Sequence, residues 1–122
     1  MVRITHNFKE LSVWQKSRVL VKEIYLISQD FPSSEKFGLT TQIRRAAISI
    51  SANIAEGCGR NSDKELVKFL GYSLGSAYEL ETELLLASDI GYISIEKLNS
   101  LLDKLIEIER MISGLITKIS KE

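Results

Sequence analysis

Residues 94–120 read SIEKLNSLLDKLIEIERMISGLITKIS, and this stretch decides the fold. Leu98, Leu101, Leu105, Ile108, Ile112, Leu115 and Ile119 recur at spacings of 3-4-3-4-3-4. That is a strict heptad seam, the pattern of a helix packed along its length against other helices. The helix is expected to start at Ser94. Just upstream, Leu66, Leu70, Ser73, Ala77, Leu80, Leu84 and Ala87 form a second such row. Ser62 with Glu65 three residues on is a capping box that opens this helix, and Gly91 closes it. At 1.5 Å per residue it is about 42 Å long.

Two shorter helices precede these. Ile43, Ala47, Ile50 and Ile54 predict a helix from about Leu39 to Glu56. Gly57 is placed to end it in a left-handed conformation. Val13, Leu20, Ile24 and Ile27 share one face of a first helix, with Ser17 filling the gap. Ser12 and Gln15 read as its capping box, and Phe31-Pro32 as its stop. Three short connections favour antiparallel neighbours. The fold class expected is all-α, an antiparallel up-down-up-down four-helix bundle in a single domain over residues 1–122.

Composition excludes several function classes. The chain has 122 residues, one cysteine (Cys58) and one histidine (His6). A disulfide framework, a Cys-based zinc site and a Ser-His-Asp triad are therefore not expected. No apolar run reaches the roughly 18 residues of a membrane span. The N-terminus lacks the apolar core of a signal peptide, so a cytoplasmic protein is expected. No catalytic residue, metal, cofactor or small-molecule substrate is expected. The loop Gly57-Cys58-Gly59 lacks the preceding strand of a dinucleotide site.

Three groups of residues carry the functional reading. Ala46–Ala55 reads AAISISANIA, free of charge on every side. A helix in a lone bundle needs one apolar stripe, so Ile48, Ala52 and Ala55 form a second face that calls for a cover. Gly71 and Gly75 lie mid-helix, each costing about 1 kcal/mol relative to alanine, which suggests close approach of another backbone. These five positions are the expected oligomer interface. Glu81 and Glu109 fall beside the heptad seams, where a carboxylate needs a partner. An ion pair with Arg44 or Arg45 is expected. A di-iron site is not, since its Glu-x-x-His motif is missing.

Net charge is zero, but residues 1–68 carry a balance of +4 and residues 69–122 a balance of −4. Arg60, Lys64 and Lys68 recur every four residues, and Arg44 and Arg45 precede them. Such a basic patch can neutralise phosphates. Tyr72 and Tyr78 are helix-borne aromatics that suit either base stacking or packing.

The segment Phe8-Lys9-Glu10-Leu11-Ser12-Val13-Trp14-Gln15-Lys16 resembles the opening of a known family. Thr41–Ala47, Ser49-Ile50 and Asn53-Ile54-Ala55-Glu56-Gly57 resemble its central signature. Gly75-Ser76, Glu79-Leu80-Glu81 and Gly91-Tyr92-Ile93 resemble its later blocks. The chain is similar from about Phe8 to Ile116 to the family of 23S ribosomal RNA intervening-sequence proteins. That resemblance implies a four-helix bundle, assembly as a homopentamer, and no established enzymatic activity. A similar fold serves as the accessory protein of diversity-generating retroelements, a basic pentamer that binds nucleic acid. Two readings follow from the sequence. One is an oligomeric bundle that binds structured RNA through Arg44, Arg45, Arg60, Lys64 and Lys68. The other is a protein-interaction scaffold that makes no nucleic-acid contact.

Overall fold

A computed structural model describes residues 7–121. The heptad rows become four helices: α1 (Ser12–Ser28), α2 (Leu39–Cys58), α3 (Asp63–Asp89) and α4 (Ile95–Ser120). Short 3₁₀ turns, Phe8–Glu10 and Ser33–Glu35, precede α1 and α2, and no strand occurs among the described residues. The architecture is all-α, as the sequence predicts.

The contacts fix the directions of the helices. Between α2 and α3, Gly57 lies against Leu66 and Phe69, while Ser49 lies against Ser76. One helix descends as the other climbs. Between α1 and α4, Lys16 meets Glu107 and Glu23 meets Lys104, again in opposite senses. The core runs along the common axis. Ile24, Ile43, Ile50, Ile54, Leu80, Leu84, Leu105 and Ile112 are fully buried in it. Each such side chain contributes roughly 1.5–3 kcal/mol of transfer free energy.

The helix ends divide into expectations met and expectations corrected. Ser62 Oγ accepts the Glu65 N–H at 3.2 Å, and Ser94 Oγ accepts the Lys97 N–H at 3.3 Å. Gly91 has φ +85°, the left-handed turn that separates α3 from α4. Ser12, however, does not cap α1. Leu11 occupies the cap position, Ser12 is already helical, and Gln15 Nε2 donates to the Lys9 carbonyl at 2.8 Å. The Gln15 side chain instead ties the first turn of α1 to the 3₁₀ turn before it.

Gly57 is not a left-handed terminator either, because α2 continues through it to Cys58. Its role is steric. A Cβ there would lie 2.9 Å from Phe69 Cβ and 3.0 Å from Leu66 Cδ1. Only a bare backbone lets the end of α2 close onto α3.

The opposite end of the bundle is tied by side chains. The rings of Phe31 and Tyr92 are 5.3 Å apart, and Tyr92 Oη donates to Glu35 Oε2 at 2.9 Å. Glu35 Oε1 accepts the Leu39 N–H at 3.2 Å, which starts α2. His6 lies outside the described residues.

Candidate nucleic-acid interface

The five cations expected to form one patch fall into two groups. Arg44 and Arg45 sit early in α2, and Arg60 follows its end. About 15 residues of helix, roughly 22 Å, separate them. That is beyond the reach of any side chain, so the single patch is corrected to a basic end and a distant pair.

Within the distant pair, Arg44 is committed to α1. Its Nε donates to Ser28 Oγ at 2.8 Å, and its guanidinium lies 4.5 Å from the Tyr25 ring centroid. Arg45 is exposed and makes no ion pair among the described residues.

At the basic end, the Gly59–Ser62 loop delivers Arg60, and the first two turns of α3 deliver Lys64 and Lys68. Arg60 pairs with Glu56 at 2.8 Å and lies 4.6 Å from the Phe69 ring centroid. Lys64 and Lys68 are exposed and make no ion pair among the described residues. Phe69 meets Tyr72 edge to face at 5.4 Å. Tyr72 and Tyr78 are each half exposed.

The expected interface residues are accessible. Ile48 is 43% exposed, Ala52 is exposed and Ala55 is half-buried. Gly71 and Gly75 are exposed, and a Cβ at either would meet no atom within 4 Å. Nothing inside the chain requires these glycines, so the close backbone approach expected there does not come from this subunit.

The ion pair expected at Glu109 is not formed with Arg44 or Arg45. Arg44 is drawn to α1, and the group facing Glu109 is Glu81, another carboxyl. Burial first, then the hydrogen bond to Glu81 and its charge, push Glu109 up to about 8. A proton shared between the two carboxyls is the chemically sensible state. A second pair went unnoticed in the sequence. Glu83 is buried, and burial, the charge of Glu79 and a hydrogen bond to it push Glu83 up to about 7. Glu83 follows Leu80 by three residues and precedes Ala87 by four, so its helical position already pointed inward. Oε1 of Glu83 and Oε2 of Glu109 have no hydrogen-bond partner.

These carboxyls do not line the grooves between α1 and α4. Two grooves lie between α1 and α4, one lined by Gln15, Lys16, Val19, Lys104, Glu107 and Ile108. Among the described residues no three His, Cys, Asp or Glu side chains are grouped to hold a metal ion. No described helix is long and apolar enough to cross a membrane.

The model of one protein family, described as 23S rRNA-intervening sequence protein, matches residues 9–114. A crystal structure from Bacteroides thetaiotaomicron, of a protein with unknown function from the S23 ribosomal protein family, is similar to this chain. It superposes with a TM-score of 0.80 at 28% identity, covering 85% of this chain and 97% of that one. No curated protein matches the chain.

Proposed function

The chain belongs to the 23S rRNA-intervening sequence protein family, and from that premise we propose that it is a non-enzymatic, oligomeric bundle that binds RNA through its basic end. The observation that carries this reading is the pair Lys64 and Lys68. Both are exposed at the start of α3, and neither has an acidic partner among the described residues. Arg60 adds a third cation to the same end. Each phosphate neutralised releases counterions, and this gives affinity without reading sequence. Subunits meet through the exposed Ile48 and Ala52 of α2, in the pentamer that the family resemblance implies. Repetition around a ring multiplies a weak patch by avidity.

Titration of a labelled 23S ribosomal RNA fragment at about 50 and 200 mM salt tests this reading. Binding is expected to weaken steeply with salt. The double variant Lys64→Glu, Lys68→Glu is expected to lose about tenfold or more and to keep its subunit mass. Unchanged affinity in that variant would remove the basic end as the site. The scaffold reading draws support from Arg44, whose guanidinium serves α1 instead of solvent. Absence of RNA binding at low salt would put that reading first.

A further inference from the structure

We propose that the exposed face of α3 from Lys64 to Tyr78 is a stacking platform for single-stranded RNA. Tyr72 and Tyr78 take the bases, and Lys64 and Lys68 take the phosphates. This rests on the RNA reading above and narrows it to one substrate class.

Lys64, Lys68, Gly71, Gly75 and Tyr78 recur at spacings of 4-3-4-3, a single stripe opposite the buried row Leu66, Leu70, Ser73 and Ala77. Gly71 and Gly75 weaken the helix relative to alanine. Yet a Cβ at either position would stand in open space. The two glycines therefore leave a bare strip of backbone that a ligand from outside the chain can approach closely.

The flanking residues say what chemistry that visitor has. At 100° per residue, Tyr72 lies about 60° to one side of Gly75 and Tyr78 about 60° to the other. The two rings are 49% and 51% exposed. Tyr72 is steadied edge-on by Phe69 at 5.4 Å, and the Arg60 guanidinium lies 4.6 Å from the Phe69 centroid. A held ring loses little freedom when a base stacks on it. Beside the rings stand two lysines that lack acidic partners among the described residues. Two cations at one end of the stripe, followed by two flat rings flanking a bare floor, suit a strand with free base faces and a charged backbone. A duplex offers the charge but hides its base faces. A second protein copy would want apolar surface, and this stretch of the face exposes none besides the two rings. Past Tyr78 the face turns to Glu79, Leu85 and Leu86, which bounds the platform.

Fluorescence anisotropy with a labelled uridine-rich single strand, and with a fully paired RNA duplex of the same length, tests the proposal. The single strand is expected to bind more tightly than the duplex. Tyr72→Leu and Tyr78→Leu are expected each to weaken single-strand binding by about 5- to 150-fold per lost stack, with the salt slope unchanged. Tyr72→Phe keeps the ring and is expected to bind like the parent. Both tyrosines are half exposed, so circular dichroism is expected to show these variants folded. If the leucine variants bind the single strand normally while Lys64→Glu, Lys68→Glu loses binding, the platform is overturned and the RNA reading stands. If the leucine variants instead change the subunit mass and leave RNA binding alone, the face belongs to a second copy and the platform is again overturned. If neither strand nor duplex binds at low salt, both readings fall together.

Discussion

Along the seam between α2 and α3, Ser73 Oγ donates to the Ile50 carbonyl at 2.7 Å, and Ser76 meets Ser49 at 2.9 Å. Across the bundle, α1 and α4 are joined at their rims by Lys16–Glu107 at 3.2 Å and Lys104–Glu23 at 2.6 Å, with open grooves beside them. The first seam is built from small residues. Ala47, Ser73, Ala77 and Gly57 are all buried and let the backbones approach. The second is built from long charged side chains that span a gap. Close packing makes every atom of the first seam count. Solvent screening makes the second forgiving.

The largest expected contrast comes from truncation. Ile50 is fully buried in the tight seam, and Ile50→Ala is expected to cost about 2–5 kcal/mol. Val19 borders the α1–α4 groove at 56% exposure, and Val19→Ala is expected to stay within about 0.5 kcal/mol. Denaturant midpoints of the two variants measure the difference. Equal losses would mean that the looser seam is packed as tightly as the other.

One chemical change at two glycines sharpens the point, because its sign should reverse. Gly57→Ala places a methyl 2.9 Å from Phe69 Cβ, an atom fixed by its own backbone. That overpacking is expected to cost about 1–3 kcal/mol. Gly75→Ala adds the same methyl in open space and is expected to stabilise the chain by up to about 1 kcal/mol. Thermal unfolding of the two variants reads the signs directly. A destabilised Gly75→Ala would show that something outside the subunit already occupies that face.

The glycines also show how far sequence reading reached. The heptad rows of α3 and α4, the serine cap at Ser62, the start of α4 at Ser94 and the turn at Gly91 were legible, because each is a local rule of spacing or backbone conformation. Gly57 was read as a terminator because a sequence carries no third dimension. The need for bare backbone there comes from Phe69, twelve residues on. Arg44 and Glu109 failed for the same reason. A helical wheel gives the face on which a side chain lies, but not the group that arrives from the neighbouring helix. Of the candidate site, the basic start of α3 was legible as a repeat of four. The distance of Arg44 and Arg45 from it was legible as well, because a helix from about Leu39 to Glu56 already places them about 15 residues, roughly 22 Å, from Arg60.

The buried carboxyls add a pH dependence to the two seams of α3. Glu109 is held up to about 8 and Glu83 to about 7, against an ordinary value of 4.5. In each case the folded state binds the proton more tightly than the unfolded chain does. The associated stability is complete below about 4.5 and is lost as pH rises through 7 and 8. Each pH unit of that window is worth about 1.4 kcal/mol per group at most. Glu109→Gln keeps the shape and removes the titration. It is expected to flatten the decline between pH 5 and pH 9 by a few kcal/mol at most, and to exceed the parent in stability at the alkaline end. Denaturant midpoints across that range check it. Parallel pH profiles for parent and variant would mean that Glu109 ionises normally in the assembled protein, with a cation supplied from elsewhere.

Only a small effect is expected where the ion pair is shortest. Lys104 Nζ reaches both carboxylate oxygens of Glu23, at 2.7 and 2.6 Å. The geometry looks strong, but the Lys104 side chain is 49% exposed. Water and ions screen the pair, and holding two flexible chains in register costs entropy. Lys104→Ala is therefore expected to cost under about 1 kcal/mol in low salt, and less still as salt is raised. Glu23→Gln should behave alike, because the pair is lost either way and no buried charge is stranded. Midpoints measured at low and high salt for both variants decide it. A loss above about 2 kcal/mol that persists in high salt would mean the pair is sealed from solvent, and the contrast between the two seams would collapse with it.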